Sequence, residues 1–301
     1  MTDIFDFKKP SLLYAVMGNP VEHSRSPQIH RHFGAQFSLE IDYRKIHVEV
    51  GGFPQAVDGF RAAGGQGLNI TIPFKVEASR MCDVRSERAT RAGAVNTLWF
   101  DDDGIHGDNT DGVGICTDIT VNLGQAISGR RLLLLGAGGA VRGVLGQLLD
   151  QRPSSVVVAN RTVDRAVELA DHFRACGDVS GCGFHDLEGQ SFDIIINGTA
   201  ASLHGQVPDL PVMDPGPGSL AYDMMYSNEP TVFMKWSRAQ GVSRASDGLG
   251  MLVEQAAESF RIWHGKHPDT RPVIHALRSS PSSSPGDSGV RTPLPSGEGQ
   301  G

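Results

Sequence analysis

The chain has 301 residues with a formal net charge of −7; 39% are hydrophobic and 20% charged. That length allows two domains with cores of their own, and the composition is that of a globular protein. The acidic balance, without a long basic cluster, argues against a nucleic-acid-binding surface, and no apolar run approaches the roughly 20 residues that span a bilayer.

The N-terminal MTDIFDFKKP carries acids and no long apolar core, which does not fit a secretory signal. Residues 12–18 read as a short buried strand. Asn19-Pro20 then turns the chain towards Ser24 and Ser26, with Ser26 expected as helix N-cap and Pro27 at the first helical position. The two hydroxyls are equally compatible with a plain cap and with a site for a small anion or polyol. Residues 41–48 alternate like a strand, and 53–63 read as a helix ending at Gly64-Gly65. A strand over 68–72 leads to Pro73, expected to open a helix that carries Lys75 in its first turn. A cation there opposes the helix dipole, which favours the neutral amine unless an anion compensates, and an acid/base lysine needs such a setting. A plain surface lysine fits the same local pattern. Residues 94–100 and 104–106 bracket Asp101-Asp102-Asp103-Gly104, a hairpin turn whose acids are expected to be solvated. Gly107–Gly112 is too polar to continue that hairpin. Asp111 leads into a helix over 113–123 at the seam before the next domain, where substrate clefts are common.

Leu132–Leu135 read as a strand buried on both faces, as in a parallel sheet covered by helices. Gly136-Ala137-Gly138-Gly139-Ala140 and a helical pattern follow. Strand, glycines and helix suit a dinucleotide pyrophosphate, although the third fingerprint glycine is absent and Val141 stands there. An ordinary tight turn is the alternative. The next strand, 155–159, ends at Asn160-Arg161-Thr162, and Arg165 follows one turn later. An NAD site carries an acid about 20 residues past the glycines; two guanidiniums suit a 2′-phosphate instead. NADP is therefore the expected cofactor, unless both arginines are merely solvated. Further elements are a helix over 163–173, strands over 191–196, 219–223 and 242–245, and helices over 231–240 and 251–263. From 279 the chain is rich in Ser, Pro and Gly and is expected to be a disordered tail. The four cysteines show no CxxC spacing and read as free thiols in a reducing cytosol; the 11 histidines form no HExxH pair, and no metal is expected.

Several motifs together and in order resemble the shikimate dehydrogenase family over about residues 11–277. They are HSRSP at 23–27, NITIPFK at 69–75, GAVNT at 93–97, GDNTDG at 107–112, GAGGA at 136–140, NRTVDR at 160–165, YDMMY at 222–226 and DGLGMLVEQ at 247–255. The resemblance implies an α/β fold: a substrate domain (1–112 and 248–278) with an inserted Rossmann-like NADP domain (113–247) and a cleft between them. It implies a cytoplasmic enzyme of aromatic amino-acid synthesis that reversibly reduces 3-dehydroshikimate with NADPH. Lys75 and Asp111 match the catalytic pair. Ser24, Ser26, Thr71, Asn96, Gln255 and, less closely, Asn69 match substrate-binding positions. Gly136, Ala137, Gly138, Gly139 and Ala140 match the pyrophosphate loop, and Asn160, Arg161, Thr162 and Arg165 the 2′-phosphate clamp. Met224, Tyr226 and Gly248 match positions near nicotinamide and substrate, and Glu87 a cofactor-associated one. The family's serine after Asn-Ala-Thr is replaced here, in Asn197-Gly198-Thr199-Ala200-Ala201. Competing readings are a quinate/shikimate dehydrogenase accepting NAD, a non-catalytic NADP-binding sensor and a SAM-dependent methyltransferase. The oligomeric state is left open, a homodimer included.

Overall fold

The computed structural model describes residues 12–199, 201 and 205–279. The Ser/Pro-rich tail beyond 279 and the N-terminal residues 1–11 lie outside the described residues. Strands and helices alternate along the chain and build two sheets of six strands each.

The first sheet contains β1 (Leu12–Gly18), β2 (Ile41–His47), β3 (Gly67–Ile70), β4 (Val84–Arg85), β5 (Thr97–Asp101) and β6 (Gly104–Asp108), in the order β2-β1-β3-β5-β6-β4. β1 runs parallel to β2 and β3, whereas β5 pairs antiparallel with both β3 and β6. Helices α1 (Ser26–Gln36), α2 (Phe53–Ala62), α3 (Lys75–Met81) and α4 (Glu87–Ala92) belong to this half. The turn 101–104 is the expected hairpin, with its three acids exposed.

The second sheet contains β7 (Arg131–Leu135), β8 (Ser155–Ala159), β9 (Val179–Cys182), β10 (Ile194–Asn197), β11 (Leu220–Asp223) and β12 (Arg244–Asp247). It is parallel throughout, in the order β12-β11-β10-β7-β8-β9. Numbered within its own half this is the 3-2-1-4-5-6 Rossmann order, with the topological switch point beside β7. Leu132 and Leu134 face one apolar core while Leu133 and Leu135 face another, which is why the four leucines run unbroken. Helices α6 (Gly139–Asp150), α7 (Val163–Phe173) and α8 (Val232–Ala239) flank this sheet.

Helix α5 (Asp111–Thr117), continued by a π-turn over Asp118–Asn122, carries the chain from the first half to the second. Helix α9 (Leu249–His264) brings it back, and α10 (Arg271–Ser279) packs on α9. No helix among the described residues is long and apolar enough to cross a membrane.

Several expectations shift. Arg25, not Ser26, is the N-cap of α1; Ser26 is already helical, caps nothing, and its hydroxyl meets Ser24 Oγ at 3.2 Å. Pro73 does not open α3, because a turn from Thr71 to Phe74 absorbs it and the helix begins at Lys75. Gly107 and Asp108 do continue the hairpin, as the end of β6. The last strand lies two residues later than hydropathy indicated: Val242 is buried in the preceding turn, while Arg244–Asp247 pair with Leu220–Asp223.

Helices α5 and α9 touch backbone to backbone. A Cβ on Gly114 would lie 2.7 Å from the Met251 carbonyl oxygen and 2.8 Å from Gln255 Cβ. Gly114→Ala is therefore expected to destabilise the protein by about 1–3 kcal/mol, the cost of overpacking outweighing the gain in helix propensity. A lowered urea midpoint at unchanged m-value checks this.

Candidate active site

Three sequence motifs are brought together by sheet register. Asn69 pairs with Thr97 across β3 and β5, and Thr97 with Asp108 across β5 and β6. The backbone adds the missing links: Ile70 N–H donates to the Asn96 carbonyl, and Asn96 N–H to the Asp108 carbonyl. Val95 N–H donates to the Lys75 carbonyl at 2.8 Å, which holds the start of α3 against the same strand end. Polar residues from three separated segments thus stand in a row at one sheet edge.

Lys75 Nζ donates to Asp111 Oδ2 at 2.6 Å, although the residues are 36 apart in sequence. The side chains are 24% and 9% exposed, so the pair is largely shielded yet reachable from the cleft. Asp111 is the compensating anion that the lysine's place at the head of a helix requires. Its other oxygen accepts from Asn96 Nδ2 at 2.8 Å, and its N–H donates to Asn109 Oδ1. Asn96 Nδ2 also lies 3.0 Å from Thr110 Oγ1 and 3.3 Å from Gln255 Oε1. The carboxylate is therefore fixed from two sides with one oxygen on the amine. Behind it, Arg88 bridges Asp108 and Glu258, tying α4, β6 and α9 together. Against the opposing effect of burial, Arg261 and Arg88 hold the buried Glu258 carboxyl down to about 2.

A cavity of about 370 Å³ opens over this pair. From the first half it is lined by Ser24, Ser26, Asn69, Thr71, Lys75, Asn96 and Asp111, and from the second by Ala140, Gly198, Thr199, Met224 and Tyr226. Gly248 and Gln255 close it from the loop before α9 and from α9 itself. All the residues matched to substrate positions thus converge on one space. Thr110, Ser259 and Met251 went unnoticed in the sequence. Thr110 lies inside the GDNTDG motif, and Ser259 one helical turn past Gln255, which could have signalled both. The Ser259 hydroxyl accepts from Asn69 Nδ2 at 3.0 Å and meets Thr97 Oγ1 at 2.8 Å. Burial raises the Tyr226 phenol above its usual range, so it stays protonated and can donate.

The glycine turn fits a dinucleotide. A Cβ at Gly138 or Gly139 would meet nothing within 4 Å, leaving open space before the first turn of α6. The N-cap Gly138 offers no side chain, so the first N–H groups of this 12-residue helix are free for a pyrophosphate. Gly136 adopts φ +102°, a left-handed conformation that favours glycine. Asn160 is half-buried at the tip of β8, its amide held by the Thr162 carbonyl at 2.9 Å. Arg161, Thr162 and Arg165 are exposed, and neither arginine has an acidic partner among the described residues. Glu87 lies exposed at the start of α4, outside the cavity. Asp101, Asp103 and His106 cluster on the exposed hairpin, also outside it.

The family's sequence profiles match three stretches: its substrate-binding domain at 16–98, shikimate/quinate 5-dehydrogenase at 119–205, and its C-terminal domain at 248–278. The chain is 55% identical over 265 residues to the NADP(+) shikimate dehydrogenase of Alkalilimnicola ehrlichii, covering 88% of this chain and 98% of that one. The chain belongs to the shikimate dehydrogenase family. Among solved structures it resembles an Ael1 enzyme from Pseudomonas putida, with TM-score 0.82, 44% identity and coverage of 89% and 98%. It also resembles the shikimate 5-dehydrogenase of Thermus thermophilus in complex with NADP(H) and shikimate, with TM-score 0.78, 31% identity and the same coverage. This is an NADP-dependent oxidoreductase of the shikimate pathway.

Behind the cavity, His30 is fully buried, stacked 4.4 Å from the Tyr43 ring, and Tyr43 donates to Asn69 Oδ1 at 2.7 Å. Burial pushes the His30 imidazole down to about 3 from the ordinary 6.5, so the folded protein keeps it neutral. As pH falls below 6.5 the unfolded chain takes up this proton and the folded chain does not. Stability is expected to drop by about 1.4 kcal/mol per pH unit on this account until the folded pKa is reached. Urea unfolding between pH 7 and pH 5 should give a shallower slope for His30→Phe than for wild type.

Proposed function

We propose that the chain catalyses the NADPH-dependent, reversible reduction of 3-dehydroshikimate to shikimate in the cytoplasm, with Lys75 as proton donor and acceptor and Asp111 as its partner. The observation that carries this reading is the Lys75–Asp111 contact inside a cavity walled by both halves of the molecule. We assign residues 1–112 and 248–278 to a substrate domain and 113–247 to the cofactor domain.

The residues fit the reaction. When bound, the reduced dinucleotide supplies a hydride to the ketone carbon. The ketone oxygen then needs a proton, and Lys75 Nζ is the donor at hand. Asp111 holds that amine in place and accepts a hydrogen bond from the substrate hydroxyl in the reverse direction. Asn96 and Gln255 orient the ring hydroxyls, and the Ser24 and Ser26 hydroxyls take the carboxylate. Gly136–Ala140 and the head of α6 hold the pyrophosphate, and Arg161 and Arg165 bind the 2′-phosphate. Ala140, Thr199, Met224 and Gly248 line the cavity and would bound the nicotinamide end of the cofactor and shield it from water.

The test is NADPH oxidation on adding 3-dehydroshikimate. Turnover is expected. Tight NADPH binding without turnover would identify a sensor instead, and that reading leaves the shielded Lys75–Asp111 pair without a purpose.

A further inference from the structure

Arg25 stands between Ser24 and Ser26, yet its side chain is not part of the cavity wall that they form. Nη2 donates to Asn228 Oδ1 at 2.8 Å, and Nη1 to the Leu277 carbonyl at 3.1 Å. Its Cζ lies 5.7 Å from the centroid of the Tyr226 ring. Tyr226 and Asn228 belong to the loop after β11, in the half opposite Arg25, and Leu277 belongs to α10. One side chain therefore joins three separate segments at one end of the cavity.

All three partners are neutral. Arg88, Arg91, Arg261 and Arg278 each pair with a carboxylate, but Arg25 forms no ion pair among the described residues. Glu22, the nearest acid in sequence, is turned to His47 at 3.0 Å. Lys75, which does line the cavity, is paired with Asp111. The guanidinium thus has no carboxylate partner among the described residues, and it lies against Tyr226, which lines the cavity together with the uncharged Ser24 and Ser26 hydroxyls.

We propose that Arg25 is the positioning residue that makes this site selective for a carboxylate-bearing substrate. Its hydrogen bonds to Asn228 and the Leu277 carbonyl, and its place against the Tyr226 ring, hold the guanidinium next to a residue that lines the cavity. Its unpaired charge supplies the positive potential that the neutral hydroxyls lack. The inference rests on the proposed function, in which the substrate carboxylate sits at Ser24 and Ser26. Arginine suits both tasks, because one planar group bonds two acceptors, lies against a ring and keeps its charge.

The experiment compares 3-dehydroshikimate with its uncharged methyl ester in wild type, Arg25→Met, Arg25→Gln and Arg25→Lys, with NADPH affinity measured alongside. Wild type should prefer the acid. In Arg25→Met the KM for the acid should rise about tenfold, or roughly 1.4 kcal/mol. Its kcat, the ester kinetics and NADPH binding should change little. Arg25→Gln, which keeps a donor for Asn228 and loses the charge, should behave like Arg25→Met; Arg25→Lys should recover much of the acid preference. A parallel loss for acid and ester would make Arg25 a structural strut and overturn the proposal, as would an unchanged acid-to-ester ratio. Wild type inactive on the acid would instead overturn the functional reading beneath it.

Discussion

Lys75→Ala is expected to lower kcat for 3-dehydroshikimate reduction by about 10²–10⁴-fold, the range supplied by a positioned general acid, with only a modest change in KM. The asymmetry follows from when the interaction matters. The ketone oxygen is a weak acceptor in the ground state and gains charge as the carbon is reduced. A donor at that oxygen therefore stabilises the transition state more than the bound substrate. Loss of such a contact appears in kcat; loss of uniform binding appears in KM. The Lys75 side chain is largely shielded and its Nζ is held at 2.6 Å from Asp111 Oδ2. Asp111→Asn should fall in the same direction, because the neutral amide no longer balances the amine. Steady-state kinetics on both variants, with NADPH binding followed by fluorescence, provide the measurement. A kcat close to wild type would make Lys75 a binding residue and move the proton transfer elsewhere.

Arg161→Ala is expected to weaken NADPH binding by roughly 10–100-fold, the value of one charge-assisted hydrogen bond to a phosphate, and to leave NADH binding nearly untouched. The argument is one of position and partnership. Arg161 follows directly on the tip of β8, beside the strand that carries the glycine turn, and Arg165 lies on the first turns of α7. Both are exposed, and neither is committed to an acid among the described residues. Arg161→Ala combined with Arg165→Ala should remove most of the preference for NADPH over NADH. Equal losses for the two dinucleotides would make these arginines general contributors to surface potential and would revive the NAD-accepting reading.

The sheet of the cofactor half was legible because β7, β8 and β10 are buried on both faces and read as unbroken apolar runs. The elements that escaped lack that signal. β4 is two exposed residues, β9 is an edge strand reading VSGC, and α10 buries only Val273 and Leu277. Hydropathy places β12 two residues early, because it follows burial while strand pairing follows backbone register. Its residues Arg244–Asp247 are mostly polar and are strand only because β11 offers them partners. The cap at Ser26 failed for a related reason. A serine before a proline fits the pattern of a cap, but only the backbone path decides whether it stands before the helix or inside it.

By itself the sequence determined the chemical vocabulary: an amine at the head of a helix, hydroxyls and amides for a polyol, a glycine turn, and guanidiniums where an NAD site has an acid. These are properties of residue type and short spacing, which travel with the chain wherever it goes. The tertiary structure alone decided which of them meet. Lys75 reaches Asp111 because β3, β5 and β6 lock in one register and α5 and α9 close backbone to backbone. Arg25 left its own motif for a loop 203 residues away because packing placed Asn228 there. Distances of that kind come from the cooperative packing of distant segments, which no local window of sequence contains.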